Sequence, residues 1–425
     1  MRNYTRRSNL SILLGSLLFY FLPGISYSQT SSQFRSDFNY FWTTINDEYC
    51  YFGKKQTNWQ KVKEIYSPAL DTITTRDQFV TLLEKGLYEI YDHHAILNTN
   101  TNSSRRLVPS GTDIWAEYVD GKPVITEVRM DFGAQAAGIK PGMEIIAINN
   151  TPVATAIETF LPRAVNPMTI EAKNFALRLV LAGNHHDARK FTLKYNGTTK
   201  DYCPDQNELQ LEHIQYTGKL ESRKIGNTGY IRINDCLYDN DLIPAFDSTM
   251  QSLSSSQSLV LDLRETPSGG NTTVARAILG WFINKDHFYQ KHEYYAEEKS
   301  TGVKRSWEEI VSPRAGKYYS KPLVVLCDHW TGSIAEGIVI GFDALNRPNT
   351  KVIGTELARL NGAVYSFEMP ETHIHFTFPA ERLYHINGLP REQYLPSIFI
   401  DWRKNEFKPG TDIFIEKAIQ YLNKK

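Results

Sequence analysis

Apolar positions change their spacing along the chain, and each change marks a different kind of element. Over residues 34–87 they recur at helical intervals, with Phe38, Phe41, Trp42 and Ile45 on one face and later Trp59, Val62, Ile65 and Tyr66. The spacing predicts an N-terminal helical segment. Alternation over Tyr91-Asp92-His93-His94-Ala95-Ile96-Leu97 predicts a short strand after it, and the polar stretch 98–106 reads as a loop. Residues 114–119 and 124–128 read as strands joined at Asp120-Gly121. Residues 191–195 and 198–202 form a hairpin signature, because Asn196-Gly197 suits the positive φ angles of a tight turn. From about residue 224 the pattern becomes strand, helix, strand: 228–233, 258–263 and 323–327 are short β runs, and 273–283 and 334–345 are helical. An α/β core follows. The stretch 286–321, rich in Tyr and charge, reads either as a solvated insertion or as a lid over a cleft.

Composition narrows the partners. The chain has 425 residues and is 41% hydrophobic, enough to bury large cores in more than one domain. Its 47 basic and 47 acidic side chains cancel, so neither nucleic acid nor an anionic membrane is an expected partner. At the start, Arg2, Arg6 and Arg7 precede the apolar run 10–22, and Ser26-Tyr27-Ser28 supplies a cleavage site before Gln29. This predicts a signal peptide over 1–28 rather than a membrane span, and export to a periplasmic or extracellular space. Cys50, Cys203, Cys236 and Cys327 survive such cleavage, and an oxidising compartment would permit them to pair. Cys327, inside an apolar run, reads as a buried thiol. No CxxC or HxxxH spacing appears, and neither a metal nor a cofactor is expected.

Candidate chemistry begins at Thr331-Gly332-Ser333-Ile334-Ala335-Glu336, where the apolar run 323–327 gives way to a helical pattern. A strand-to-helix turn would hold the Ser333 hydroxyl at the positive end of the helix dipole, beside free backbone N–H groups. That setting suits a nucleophile. It also suits a helix cap, since Ser333-x-x-Glu336 is a capping box. Upstream, Leu259 to Arg264 reads as a buried strand, followed by a turn in which Gly269-Gly270 allows N–H groups to face a cleft. Asp92-His93-His94 offers a base, and the Pro-flanked loop Gly388 to Pro396 carries Glu392.

Taken together, these residues resemble the C-terminal processing and tricorn-like serine peptidases. Asp92-His93-His94 is similar to the family's DGH motif. Asp262-Leu263-Arg264 with Gly269-Gly270 is similar to its DLR and GG, and Thr331 through Glu336 to its T-x-S-x-x-E. Between them, the run Ala134 to Val153, with Gly138 and Pro141-Gly142, resembles a PDZ domain, although Met143 replaces the usual Asp and no glycine-rich carboxylate loop lies near Trp115. The resemblance implies an α/β multidomain protein: a helical segment over 29–108 carrying the His motif, a PDZ-like β-rich domain over 109–203 and a crotonase-like α/β peptidase core over 204–425. It further implies a serine-type peptidase acting on peptides or unfolded proteins. Ala358 stands where the Ser-Lys branch has its lysine, and Arg359 cannot serve, because a guanidinium does not give up its proton near neutral pH. The implied arrangement is therefore tricorn-like: Ser333 as nucleophile, His94 as base with His93 as the alternative, and Glu392 orienting the base. Gly269, Gly270 and Ile334 would supply the oxyanion hole. An ordinary imidazole would act with a pKa of about 6 to 7. The other reading is a catalytically silent relative that binds peptides or apolar ligands through the cleft or the PDZ-like unit.

Overall fold

The computed structural model describes residues 30–213, 215–404 and 410–424; the proposed signal peptide lies outside them. Helices Ser31–Glu48, Trp59–Tyr66 and Arg76–Tyr88 occupy the N-terminal segment, the first and third opened by capping boxes at Thr30 and Thr75. Their apolar faces bury Phe34, Phe38, Phe41, Phe79 and Leu83 together with Phe376 and Phe378 of the long strand His375–Tyr384. The helical segment is thus packed onto the C-terminal half of the chain. The short strand Ile96–Leu97 pairs with the same strand, Ile96 opposite Thr377.

Among the described residues the strands form three sheets. The first contains Ile114–Val119, Lys122–Val128, Glu144–Ile148, Phe191–Tyr195 and Thr198–Tyr202, all antiparallel, packed on the helix Ile170–Ala182. Asn196 (φ 48°) and Gly197 (φ 82°) make the tight turn that the sequence calls for. The second sheet is antiparallel and joins Ile96–Leu97, His375–Tyr384, His287–Tyr294 and Arg305–Val311, with Ala363–Glu368 on the other side of His375–Tyr384. Stretch 286–321 is therefore neither a solvated insertion nor a lid. Its two strands are tied into this sheet, Lys291 opposite Tyr384, because alternate residues such as Gln290 and His292 are buried against it.

The third sheet runs Ile398–Phe399, Thr350–Gly354, Leu323–Cys327, Ser258–Asp262, Thr228–Ile233 and Leu220–Ile225, parallel except for the last pair. Helices Leu242–Ser252, Thr272–Leu279 and Ile334–Ala344 cover one face and Ile413–Leu422 the other. Both faces being covered explains why Leu323–Cys327 is buried at every position. In such a sheet functional groups gather at the carboxyl ends of the strands, where the turns after Asp262 and Cys327 lie side by side. All four cysteines are free thiols, so the pairing that export would permit is not formed.

Candidate active site

Ser333 sits between strand Leu323–Cys327 and helix Ile334–Ala344, with φ 53° and ψ −112°. An ordinary N-cap residue is extended, whereas this conformation costs a non-glycine residue of order 1–3 kcal/mol and persists only where its surroundings impose it. The surroundings are the neighbouring turn. Thr266 and Thr331 form a parallel bridge, Gly332 N–H donates to Thr266 O at 3.2 Å, and Thr331 Oγ1 donates to Leu263 O at 3.0 Å. Glu336 Oε2 accepts the Ser333 N–H at 2.9 Å, so the glutamate half of the capping box is formed around a strained serine. Glu336 is fully buried, and burial lifts its pKa to about 7.

Gly269 (φ 71°) lies against this serine: a Cβ there would fall 2.5 Å from Ser333 Cβ and 3.0 Å from Ser333 Oγ. Its own N–H donates to Thr266 O at 3.4 Å, while the Gly270 N–H donates to no group among the described residues. Ile334 opens the helix, where N–H groups have no intrahelical acceptor.

Asp92, His93 and His94 lie just before strand Ile96–Leu97. Asp92 is buried and accepts from Tyr49 Oη, from Asn361 Nδ2 and from the His94 N–H, at 2.8, 2.8 and 3.0 Å. His94 Nδ1 stands 2.6 Å from the carbonyl of Asn361. A carbonyl only accepts, so the proton sits on Nδ1 and the Nε2 lone pair is free. Burial pulls the His94 pKa down to about 4, below the ordinary imidazole range expected from sequence. His93 is also held well below its usual value by burial; its ring stacks on Phe175 at 4.5 Å and its Nε2 makes no hydrogen bond among the described residues.

Ser333 and the segment around His94 are tied together by Arg391. Its buried guanidinium donates to Ser333 O at 3.1 Å, and to Leu360 O and Gly362 O at 2.9 and 2.8 Å, the two carbonyls flanking the Asn361 that holds His94. Glu392, next in sequence, is bonded to Lys54 at 2.5 Å; the contact on His94 Nδ1 comes from Asn361 instead. Among the described residues no hydrogen bond joins Ser333 Oγ to His94.

Residues 227–394 match the family model for peptidase family S41, and residues 31–87 match that for the tricorn protease C1 domain. Residues 227–394 thus form a peptidase family S41 region. It is accordingly a serine-type peptidase in class. A search of curated proteins returned no match. Among solved structures, this chain is similar to a putative peptidase from Parabacteroides merdae (15% identity, 92% of this chain and 96% of that one covered, TM-score 0.56). It is also similar to mature CPAF (15%, 93% and 96%, 0.59) and to the photosystem II D1 C-terminal processing protease (15%, 88% and 94%, 0.54). At these identities the likeness is one of fold.

Asn361, Arg391 and Lys54 escaped the reading of the S41 motifs in the sequence. Asn361 acts through its backbone carbonyl, which carries no side-chain signature. Arg391 lies beside Glu392 in the Pro-flanked loop, and its burial was the missing clue.

Proposed function

We propose that the chain is an exported serine peptidase in which Ser333 attacks a peptide carbonyl and His94 is its base. The observation that carries this reading is the strained Ser333 backbone, wedged by Gly269 and clamped by Arg391 to the segment that fixes the tautomer of His94. In the attack, a bond forms from Ser333 Oγ to the substrate carbonyl carbon while the hydroxyl proton passes to His94 Nε2. That contact closes in the substrate complex, as catalytic hydrogen bonds often do. Gly270 and Ile334 N–H groups receive the oxyanion, with Gly269 acting as the spacer that lets the turn approach. His94 then returns the proton to the departing amine as the C–N bond breaks, and water, deprotonated by the same imidazole, hydrolyses the acyl-enzyme. Asn361 orients the base, and Glu392 pairs with Lys54 rather than with the imidazole.

Export rests on the leader-like residues 1–28. The sheet over 109–203 is read as PDZ-like from its short helix Gly133–Ala136, the Pro141-Gly142 turn and strand Glu144–Ile148, with a role in positioning substrate rather than in capturing a free C-terminus. The test of the catalytic reading is labelling by a fluorophosphonate together with hydrolysis of an unfolded protein. Wild type should do both and Ser333→Ala neither; turnover retained by Ser333→Ala refutes the assignment, and a wild type inert in both assays favours the silent peptide binder.

A further inference from the structure

Glu117, His329 and Glu356 come from three separate stretches of chain and meet near the Ser333 turn. Glu117 is on strand Ile114–Val119, His329 follows strand Leu323–Cys327 and Glu356 follows strand Thr350–Gly354. One oxygen of each glutamate and one ring nitrogen of His329 lie within 4.8 Å of one another. A group assembled this way leaves no spacing motif in the sequence.

Carboxylates gather on many surfaces without a ligand, and the imidazole is what sets these two apart. His329 is 4% exposed, its ring stacks on Trp115 at 4.4 Å, and its Nε2 makes no hydrogen bond among the described residues. Glu356 Oε2 stands 3.5 Å from that nitrogen. A charge-assisted hydrogen bond would close to about 2.7–2.9 Å. Two ligands at about 2.0–2.1 Å from one tetrahedral zinc ion lie about 3.3 Å apart, close to the separation found. The other ring nitrogen is already engaged: Nδ1 donates to Glu127, whose Oε2 also accepts from Thr355 Oγ1 at 2.9 Å. A carboxylate on one nitrogen fixes the tautomer and the ring plane, and leaves the lone pair of the other to a metal.

Charge leaves room for a cation. Glu117, Glu127 and Glu356 carry three negative charges, and Arg178 and Arg359, paired to Glu117 and Glu356 at 2.5 and 2.6 Å, offset two of them. Those guanidiniums hold the carboxylates in the metal-free chain. The Arg359 side chain is 41% exposed and turns to solvent when an ion takes Glu356. Arg178 keeps its place over the Trp115 ring, 4.1 Å from the centroid.

We propose that His329 Nε2, Glu117 and Glu356 form a binding site for Zn²⁺, with water as the fourth ligand. An imidazole beside two carboxylates suits zinc better than Mg²⁺ or Ca²⁺, which take oxygen ligands. The ion clasps strand Ile114–Val119 to the loop that leads into Ser333 and to the segment that reaches Asn361. The site does not require Ser333 to be the nucleophile.

The experiment uses the untagged full chain, stripped with EDTA, desalted and titrated with ZnCl₂ in a calorimeter. One Zn²⁺ per chain should bind at micromolar concentration and raise the melting temperature, with Mg²⁺ and Ca²⁺ weaker by about tenfold or more. His329→Gln and Glu356→Gln should each weaken zinc by at least as much as Glu127→Gln, which loses only the carboxylate that orients the ring and should cost about 10- to 100-fold. His329 is buried, so its variant is the one at risk of not folding; Glu356 is partly exposed, and Glu356→Gln then decides the question. Surface imidazoles supply the control, because His373 and His375 lie 2.6 and 3.8 Å from Glu368 and could collect zinc of their own. The double variant His373→Ala/His375→Ala should keep the tight site. The proposal is overturned by no binding at micromolar zinc, by affinity unchanged in Glu356→Gln, by loss of binding in the His373→Ala/His375→Ala variant, or by tighter binding of Mg²⁺ or Ca²⁺ than of Zn²⁺.

Discussion

Replacing Gly269 by alanine would put a methyl group where Ser333 already stands. The new carbon would lie 2.5 Å from Ser333 Cβ, whereas carbon atoms in contact settle at about 3.5–4.0 Å, so the two turns must part by roughly 1 Å. A displacement of that size at a reacting group costs about 10²-fold in rate. The backbone adds a second penalty, because φ 71° is left-handed and an alanine there loses about 1–2 kcal/mol. Gly121 separates the two effects: its φ is 79°, and nothing lies within 4 Å of where its Cβ would be. Gly121→Ala should therefore lose similar stability, a few degrees of melting temperature, with kcat/KM intact. Gly269→Ala should lose about as much stability and roughly a hundredfold in kcat/KM, measured on a fluorogenic peptide. Wild-type activity in a folded Gly269→Ala protein would refute the wedge, as would an equal activity loss in both variants.

The pH dependence should carry two limbs, both rising with pH. A neutral imidazole is the active form of His94 above its pKa of about 4, and ionised Glu336, above about 7, is the better acceptor for the Ser333 N–H. A protonated carboxyl still accepts through its carbonyl oxygen, so the upper limb should be partial, and a pH–rate profile of Glu336→Gln should keep only the lower one. Arg391→Lys retains a charge beside Glu336 but not the fork that reaches three carbonyls, so steady-state kinetics should show kcat down by tenfold or more with KM little changed; an unchanged kcat would remove Arg391 from the positioning role. Secreted material should begin at Gln29 or a neighbour by N-terminal sequencing, and a start at Met1 would exclude cleavage.

The turn that carries Ser333 was legible because strand Leu323–Cys327 and helix Ile334–Ala344 each announce themselves locally, one as a β run and the other by helical spacing. The same holds for the hairpin at Asn196-Gly197, whose residue types dictate its turn. What was not legible depends on partners far along the chain. His287–Tyr294 and Arg305–Val311 looked like a charged insertion because their burial comes from pairing with His375–Tyr384. The acceptor on His94 is a main-chain oxygen that any residue at position 361 would supply. Glu392 was read as the orienter of the base because sequence shows a carboxylate in a loop but not the Lys54 that meets it.

The four free thiols make the protein convenient to instrument. Because no bridge holds the fold, recombinant chain needs no oxidising compartment to reach it. Cys50, Cys236 and Cys327 are buried, and burial raises the pKa of each, to about 11 for Cys236, which leaves little of the thiolate that alkylating dyes require. Cys203 is only partly covered and directly follows strand Thr198–Tyr202. A maleimide fluorophore should therefore attach there first, at the edge of the sheet opposite strand Ile114–Val119, without any engineered cysteine.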